Sequence, residues 1–209
     1  MSEVVRERNR RGEGARLRDE ILAGATELLE QSGGSEEAVT LRAVARQVGI
    51  SAPSIYAHFA DRQAIVDAIV NGAFADFNGA IKRASDAAVQ AGAGPGQRLR
   101  AMGAAYLEFA AERPNRYQLL FERRNLIGAG SEANRLIRIE SFELLVASVQ
   151  ACVDAGISAS DDPARDAMAI WAALHGLATL RNFRPQFAWP GTDTMLDRIV
   201  CGLAQIRDA

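Results

Sequence analysis

Apolar residues return every three or four positions along nearly the whole chain, and the interruptions in that rhythm divide it into helices. Residues 16–31 carry Leu17, Ile21, Ala25, Leu28 and Leu29 at helical spacing, and Gly33-Gly34 ends the run. Thr40 caps LRAVARQV, whose apolar face is Leu41, Val44, Ala45 and Val48, and Gly49 closes it. A new helix starts almost at once: Ser51 stands at its cap, Pro53 fits only a first turn, and the pattern runs from Ala52 to about Phe59. Asp61 caps a fourth helix with a stripe of Ile65, Ile69, Ala73 and Phe77. That helix can run beyond Arg83, although Gly72 and Gly79 each cost about 1 kcal/mol against alanine.

The AGAGPG stretch at 91–96 is a break. Beyond it the pattern predicts a helix over about 97–112 that stops before Pro114, a short piece around Tyr117–Phe121, and a longer helix over about 131–155 ending at Gly156. Asp162 and Pro163 open a helix that reaches Phe183. Residues 185–191 read as a loop, and Thr192 caps a last helix with Leu196, Ile199, Val200, Leu203 and Ile206 on one face. No strand pattern and no internal repeat emerges, so the expected fold is all-α.

The two helices joined through Gly49-Ile50-Ser51 have the dimensions of a helix-turn-helix, whose second helix enters the DNA major groove. Ile50, Ile55 and Phe59 supply an inward face, while Ala52, Pro53 and Ser54 lie at the exposed N-terminal end. Tyr56 and His58 can donate to phosphate oxygens, which positions a protein on DNA without reading sequence. Arg42 lies on the polar face of the preceding helix, as a phosphate or base contact or as a solvated charge.

Charge sharpens this reading. The 209 residues carry a formal net charge of −2, so any positive surface for nucleic acid must be local. Residues 1–18 hold six arginines (Arg6, Arg8, Arg10, Arg11, Arg16, Arg18) against three glutamates, a net of +3. A flexible arginine-rich arm over 1–14 is expected, either solvated or tracking phosphate and minor groove. No run approaches the roughly 18 apolar residues of a membrane span, and MSEVVRERNRRGEG lacks the apolar stretch of a signal peptide. A cytoplasmic protein without a membrane partner is expected.

Cys152 and Cys201 form no CxxC and sit in apolar helical contexts, as buried inert thiols do. With His58 and His175 the sole histidines, and no GxSxG, P-loop or GxGxxG, no metal, cofactor or catalytic site is expected.

The run TLRAVARQVGISAPSIYAHFADRQAIV resembles the DNA-binding domain of the TetR family of transcriptional regulators. Thr40, AVARQVGIS, the Tyr56-Ala57-His58-Phe59 block and the restart at Asp61 carry the resemblance. The family usually has lysine where this chain has Arg62, in a phosphate-contacting role that arginine can also fill. The GGSEEAV segment before Thr40 is slightly longer than the family's usual first loop. WAALHGLATL, residues 171–180, is similar to the Trp-x-x-x-His-Gly signature of one subgroup of TetR-type C-terminal domains. The resemblance implies an all-helical homodimer, a palindromic double-stranded DNA operator, and a small-molecule effector that controls DNA binding. It divides the chain into the arm at 1–14, a DNA-binding domain at 15–65, and a ligand-binding and dimerisation domain at 66–209. A ligand-independent regulator or an activator of the same fold is the alternative, with an all-helical enzyme or carrier behind it.

Within the larger domain Met102, Tyr106 and Phe109 share a helical face, and Tyr117, Phe121, Phe142 and Leu145 add bulky apolar groups. Trp171 and His175 lie one turn apart on the same side of their helix. His175 fits either a satisfied structural histidine or a donor in a pocket. Together these residues suggest an apolar cavity with a few polar handles, suited to a hydrophobic or aromatic effector. The last two helices are expected to pair across a two-fold axis as a four-helix bundle.

Overall fold

A computed structural model describes residues 13–121 and 132–207. Among them the elements are α1 (Glu13–Gln31), α2 (Leu41–Val48), α3 (Ala52–Ile55), α4 (Arg62–Gln90), α5 (Pro95–Glu112), α6 (Pro114–Phe121), α7 (Glu132–Asp154), α8 (Pro163–Phe183) and α9 (Thr192–Leu196). A single 3₁₀ turn, Glu36–Ala38, precedes α2, and α9 continues as a π-helical turn over Asp197–Cys201. No strand is formed among the described residues; one isolated antiparallel bridge pairs Ser158 with Ile206. Of the arm expected over 1–14, residues 1–12 lie outside the described residues, and 13–14 already belong to α1.

Local chemistry sets the early helix boundaries. The Thr40 hydroxyl accepts from the Ala43 N–H at 3.1 Å, satisfying one of the donors that every helix start leaves over. Gly49 ends α2 at φ 73°, a conformation glycine adopts without cost. Asp61 accepts from the Ala64 N–H at 2.8 Å and starts α4.

Other boundaries differ from expectation. α3 closes at Ile55 instead of reaching Phe59, because the chain tightens into turns that bury Phe59 and deliver Asp61 to its cap position. Ser51 occupies the cap of α3 without capping it; its hydroxyl pairs with that of Ser54 at 2.7 Å. Pro114 opens α6 as well as following α5. Gly191, and not Thr192, is the cap residue of α9.

The described residues form two compact units. The first takes those up to Ala73 together with 118–121. Its core holds Ile21, Ala25, Val39, Val44, Ile55, Ile65 and Val70, each essentially without solvent contact. Gly24 lets α1 and α2 approach closely: a Cβ there would stand 2.7 Å from the Val48 side chain. The second unit takes 74–117 and 132–207, with Leu99, Val149, Ala167, Ile170, Leu196 and Val200 in its core. Gly103 does for α5 what Gly24 does for α1, since a Cβ there would stand 2.8 Å from Val200 and 3.1 Å from Leu196.

α4 is long and apolar enough, by length and mean hydropathy, to cross a membrane, but half of that window is buried inside the protein. Its buried positions, from Ile65 through Phe77 to Ile81, mark a core helix. Cys152 and Cys201 are buried free thiols, and burial pushes both above the usual thiol range, away from the reactive thiolate.

Candidate nucleic-acid interface and effector cavity

In the first unit, the groups suited to DNA stand on the outer side of α2 and α3. Thr40, Arg42, Ser51, Pro53 and Tyr56 are exposed, Ala52, Ser54 and His58 partly so. Tyr56 leaves 59% of its surface in solvent, while its neighbours Ile55 and Phe59 are buried. α3 and the turn after it therefore show a polar, aromatic front from an apolar footing. Arg42 and Arg46 lie one turn apart on the exposed side of α2, adding local positive charge.

That footing is tied down by residues with no local sequence signal. The Arg18 guanidinium lies 4.8 Å above the Phe59 ring, a cation–π contact that holds the end of the recognition segment to α1. The Gln47 amide donates to Glu27 at 2.8 Å, linking α2 to α1. Arg62, expected at phosphate, has partners inside the unit. Its Nε donates to the Val39 carbonyl at 2.9 Å, and its Nη2 donates to the Glu36 carbonyl. The guanidinium thus clamps the 3₁₀ turn immediately ahead of the Thr40 cap, where a planar fork of donors suits two converging carbonyls.

Between α4, α5, α7 and α8 the second unit has an apolar recess open to solvent, of about 360 Å³ when the open space at its mouth is included. Met102, Tyr106, Phe142, Leu145 and Trp171 line it as expected. Phe77, Ile81, Gly103, Ser141 and Leu174 complete the wall. Phe77 and Ile81 come from the α4 stripe; Gly103 and Ser141 are too small to register in a hydrophobic pattern. Phe142 meets Trp171 edge-on with centroids 6.3 Å apart.

Four residues expected at the cavity stand elsewhere. Phe109 lies behind it, edge-on to Phe77 at 5.3 Å, because it sits a further turn along α5. Phe121 belongs to the first unit. Tyr117 and His175 lie off the wall but touch it through hydrogen bonds: the Tyr117 hydroxyl is 2.7 Å from His175 Nδ1 and 3.0 Å from the Tyr106 hydroxyl. Burial, reinforced by Tyr117, raises the Tyr106 phenol far above its usual range, so it stays neutral. The Trp171 and His175 rings stack at 6.0 Å.

Most of the final apolar face is covered within its own unit. Leu196, Ile199 and Val200 are buried within their own unit, Leu203 stays exposed, and Ile206 lies past the helix, in the bridge to Ser158. The exposed apolar stripe instead runs along α8: Met168 (48% exposed), Ala169, Ala172, Leu180 (52%) and Phe183 (71%).

The chain matches two family profiles: bacterial regulatory proteins of the tetR family over residues 21–69, and the tetracyclin repressor-like C-terminal domain over residues 99–203. No curated protein matches it. Among solved structures, a protein of unknown function from Rhodococcus sp. RHA1 is 28% identical with a TM-score of 0.77, covering 90% of this chain and 93% of that one. The TetR family transcriptional regulator PfmR from Thermus thermophilus is 24% identical with a TM-score of 0.64, covering 86% and 96%. AibR, solved in complex with isovaleryl coenzyme A and operator DNA, shares the fold at 18% identity and a TM-score of 0.66, covering 91% and 99%.

Proposed function

The chain belongs to the TetR family of bacterial regulatory proteins, and from that membership and the two sites above we propose that it is a homodimeric repressor released from a palindromic operator by a small apolar or aromatic effector. The observation that carries the DNA half is the exposed Tyr56 at the C-terminal end of the four-residue helix α3, between buried Ile55 and Phe59. Nothing in the packing of the first unit calls for that side chain to face solvent; a phosphate contact does. Tyr56, His58, Thr40 and Arg42 hold the backbone, and Ala52, Pro53 and Ser54 face base edges.

The dimer uses the α8 stripe, whose alanines permit close approach and whose Met168, Leu180 and Phe183 gain burial. The α7–α8 side of the cavity receives the effector. Effector binding is read by α4, one helix that begins with Arg62 and places Phe77 and Ile81 on the cavity wall. An effector must favour one arrangement of α4 over another, since equal affinity for both shifts nothing. A tenfold loss of operator affinity requires about 1.4 kcal/mol of coupling.

The test is selection of duplexes from a random pool by the full-length protein, followed by titration of the selected duplex with wild type and Tyr56→Ala. A palindromic consensus bound by a dimer, and weakened by the substitution, supports the reading. A pool that stays random, or a monomer bound to a single half-site, sinks it.

A further inference from the structure

Between Ser51 and Ala57 the recognition segment has no arginine, lysine, asparagine or glutamine, the side chains that grip a purine edge with two hydrogen bonds. Long polar side chains nearby are engaged inside the unit. Gln47 donates to Glu27 at 2.8 Å, Gln63 donates to Asp67 at 2.9 Å, and Arg62 holds the Val39 and Glu36 carbonyls. The Ser51 and Ser54 hydroxyls lie 2.7 Å apart, so each already has a hydrogen-bond partner. Apart from Tyr56, what this segment turns outward is hydrocarbon: Pro53 and Ala57 are exposed, and Ala52 is partly so. Ile55 beside them is fully buried, which fixes the direction in which that front faces.

We propose that this segment selects its operator through the 5-methyl groups of thymines, against which Ala52 and Pro53 pack in the major groove. The proposal rests on the reading of α3 as the DNA-recognition helix. The thymine methyl is the one apolar group that a base pair presents in that groove. A G·C pair in the same place offers only polar edges, acceptors on guanine and the N4 donor on cytosine. Covering those edges with a proline ring and an alanine methyl removes their water and gives no partner in return, whereas covering a thymine methyl is favourable. The phosphate-directed side chains set where the segment lies, and the methyl groups decide which bases it accepts there.

The probe is the operator duplex selected by the full-length protein. Each thymine of a half-site is replaced in turn by deoxyuridine, which removes the methyl and keeps every hydrogen-bonding group of the base. In each half-site at least one such replacement should weaken binding about fourfold, the worth of one buried methyl group. Ala52→Gly and Pro53→Ala should each weaken binding to the thymine duplex and bring the thymine-to-deoxyuridine ratio towards one. A purely structural loss lowers both affinities together and leaves the ratio as it was. Half-sites without thymine, or deoxyuridine duplexes that all bind like the parent, overturn the inference and leave operator binding standing. A methyl effect that persists undiminished in both variants also overturns it, because another side chain then makes the contact. Failure to select any duplex removes the DNA reading and the inference with it. The wild-type ratios alone decide the matter if the variants fail to fold.

Discussion

The two units bear their functional groups in opposite ways. In the helix-turn-helix unit, Thr40, Arg42 and Tyr56 stand in solvent above a small core, and removing one of their tips leaves that core intact. In the second unit, Met102, Tyr106 and Leu174 are buried, and the same side chains that shape the cavity pack the helices together. Binding and stability are therefore separable in the first unit and entangled in the second. On the proposed reading, a variant of Tyr56 reports on DNA alone, whereas a variant of the buried Tyr106 disturbs cavity and fold at once.

The contrast is broken most forcefully in the core of the second unit. Ile170 on α8 has no solvent-exposed surface and does not line the cavity. Ile170→Ala should cost about 2–5 kcal/mol, from lost transfer free energy and the void left behind. Chemical denaturation should show the midpoint falling without a change in slope. A loss below about 1 kcal/mol would mean that the second unit collapses around the void and is softer than its packing indicates.

A smaller effect sharpens the contrast from the other side, because one position in the first unit ought to behave like a core residue of the second. Gly24→Ala forces a methyl to within 2.7 Å of the Val48 side chain and 3.3 Å of Gln47. Alanine is the better helix former by about 1 kcal/mol, so exposed-helix logic predicts stabilisation. The contact predicts the reverse, an overpacking cost of about 1–3 kcal/mol and a shift of α2 that also weakens DNA binding. Thermal unfolding and operator titration on the same sample distinguish the two; a stabilised variant with full affinity would show that α1 and α2 have slack.

What could be read in advance follows the range of the interaction. Thr40, Gly49 and Asp61 were legible because a cap is settled within three or four residues of itself. The end of α3 was not: helical periodicity continues to Phe59, but burial of that ring beneath Arg18, 41 residues earlier, turns the chain first. The cavity was half legible. Bulky Met102, Tyr106, Phe142, Leu145 and Trp171 announce themselves, whereas Gly103 and Ser141 matter through smallness or a single hydroxyl, and Phe109 has the right face but the wrong turn. The apolar side of the last helix is a true stripe; that its own unit covers Leu196, Ile199 and Val200 but leaves Leu203 exposed is a tertiary fact that amphipathicity does not encode.

The finest distinction concerns Arg62, where binding and structure meet in one side chain. As a phosphate contact it would neutralise one charge on the duplex, and its loss would flatten the dependence of log K on log salt by about 0.9. As the clamp on the Glu36 and Val39 carbonyls it acts through the Thr40 cap, and its loss leaves the number of phosphate contacts unchanged. The geometry favours the clamp, so Arg62→Met should weaken operator binding by about three- to tenfold, equivalent to roughly 1 kcal/mol, with the salt slope preserved. Arg62→Lys separates the two roles further. An ammonium serves a phosphate as well as a guanidinium does, but it cannot offer two donors in a fixed plane to two carbonyls. The lysine variant should therefore resemble the methionine variant in stability and affinity, although lysine is the residue usual at this place in the family. Binding isotherms between about 50 and 200 mM salt, the range over which phosphate-dominated affinities change most clearly, would decide. A lysine variant with wild-type affinity, or a methionine variant whose slope falls by about one, would return Arg62 to the DNA backbone and leave the turn ahead of α2 to hold itself.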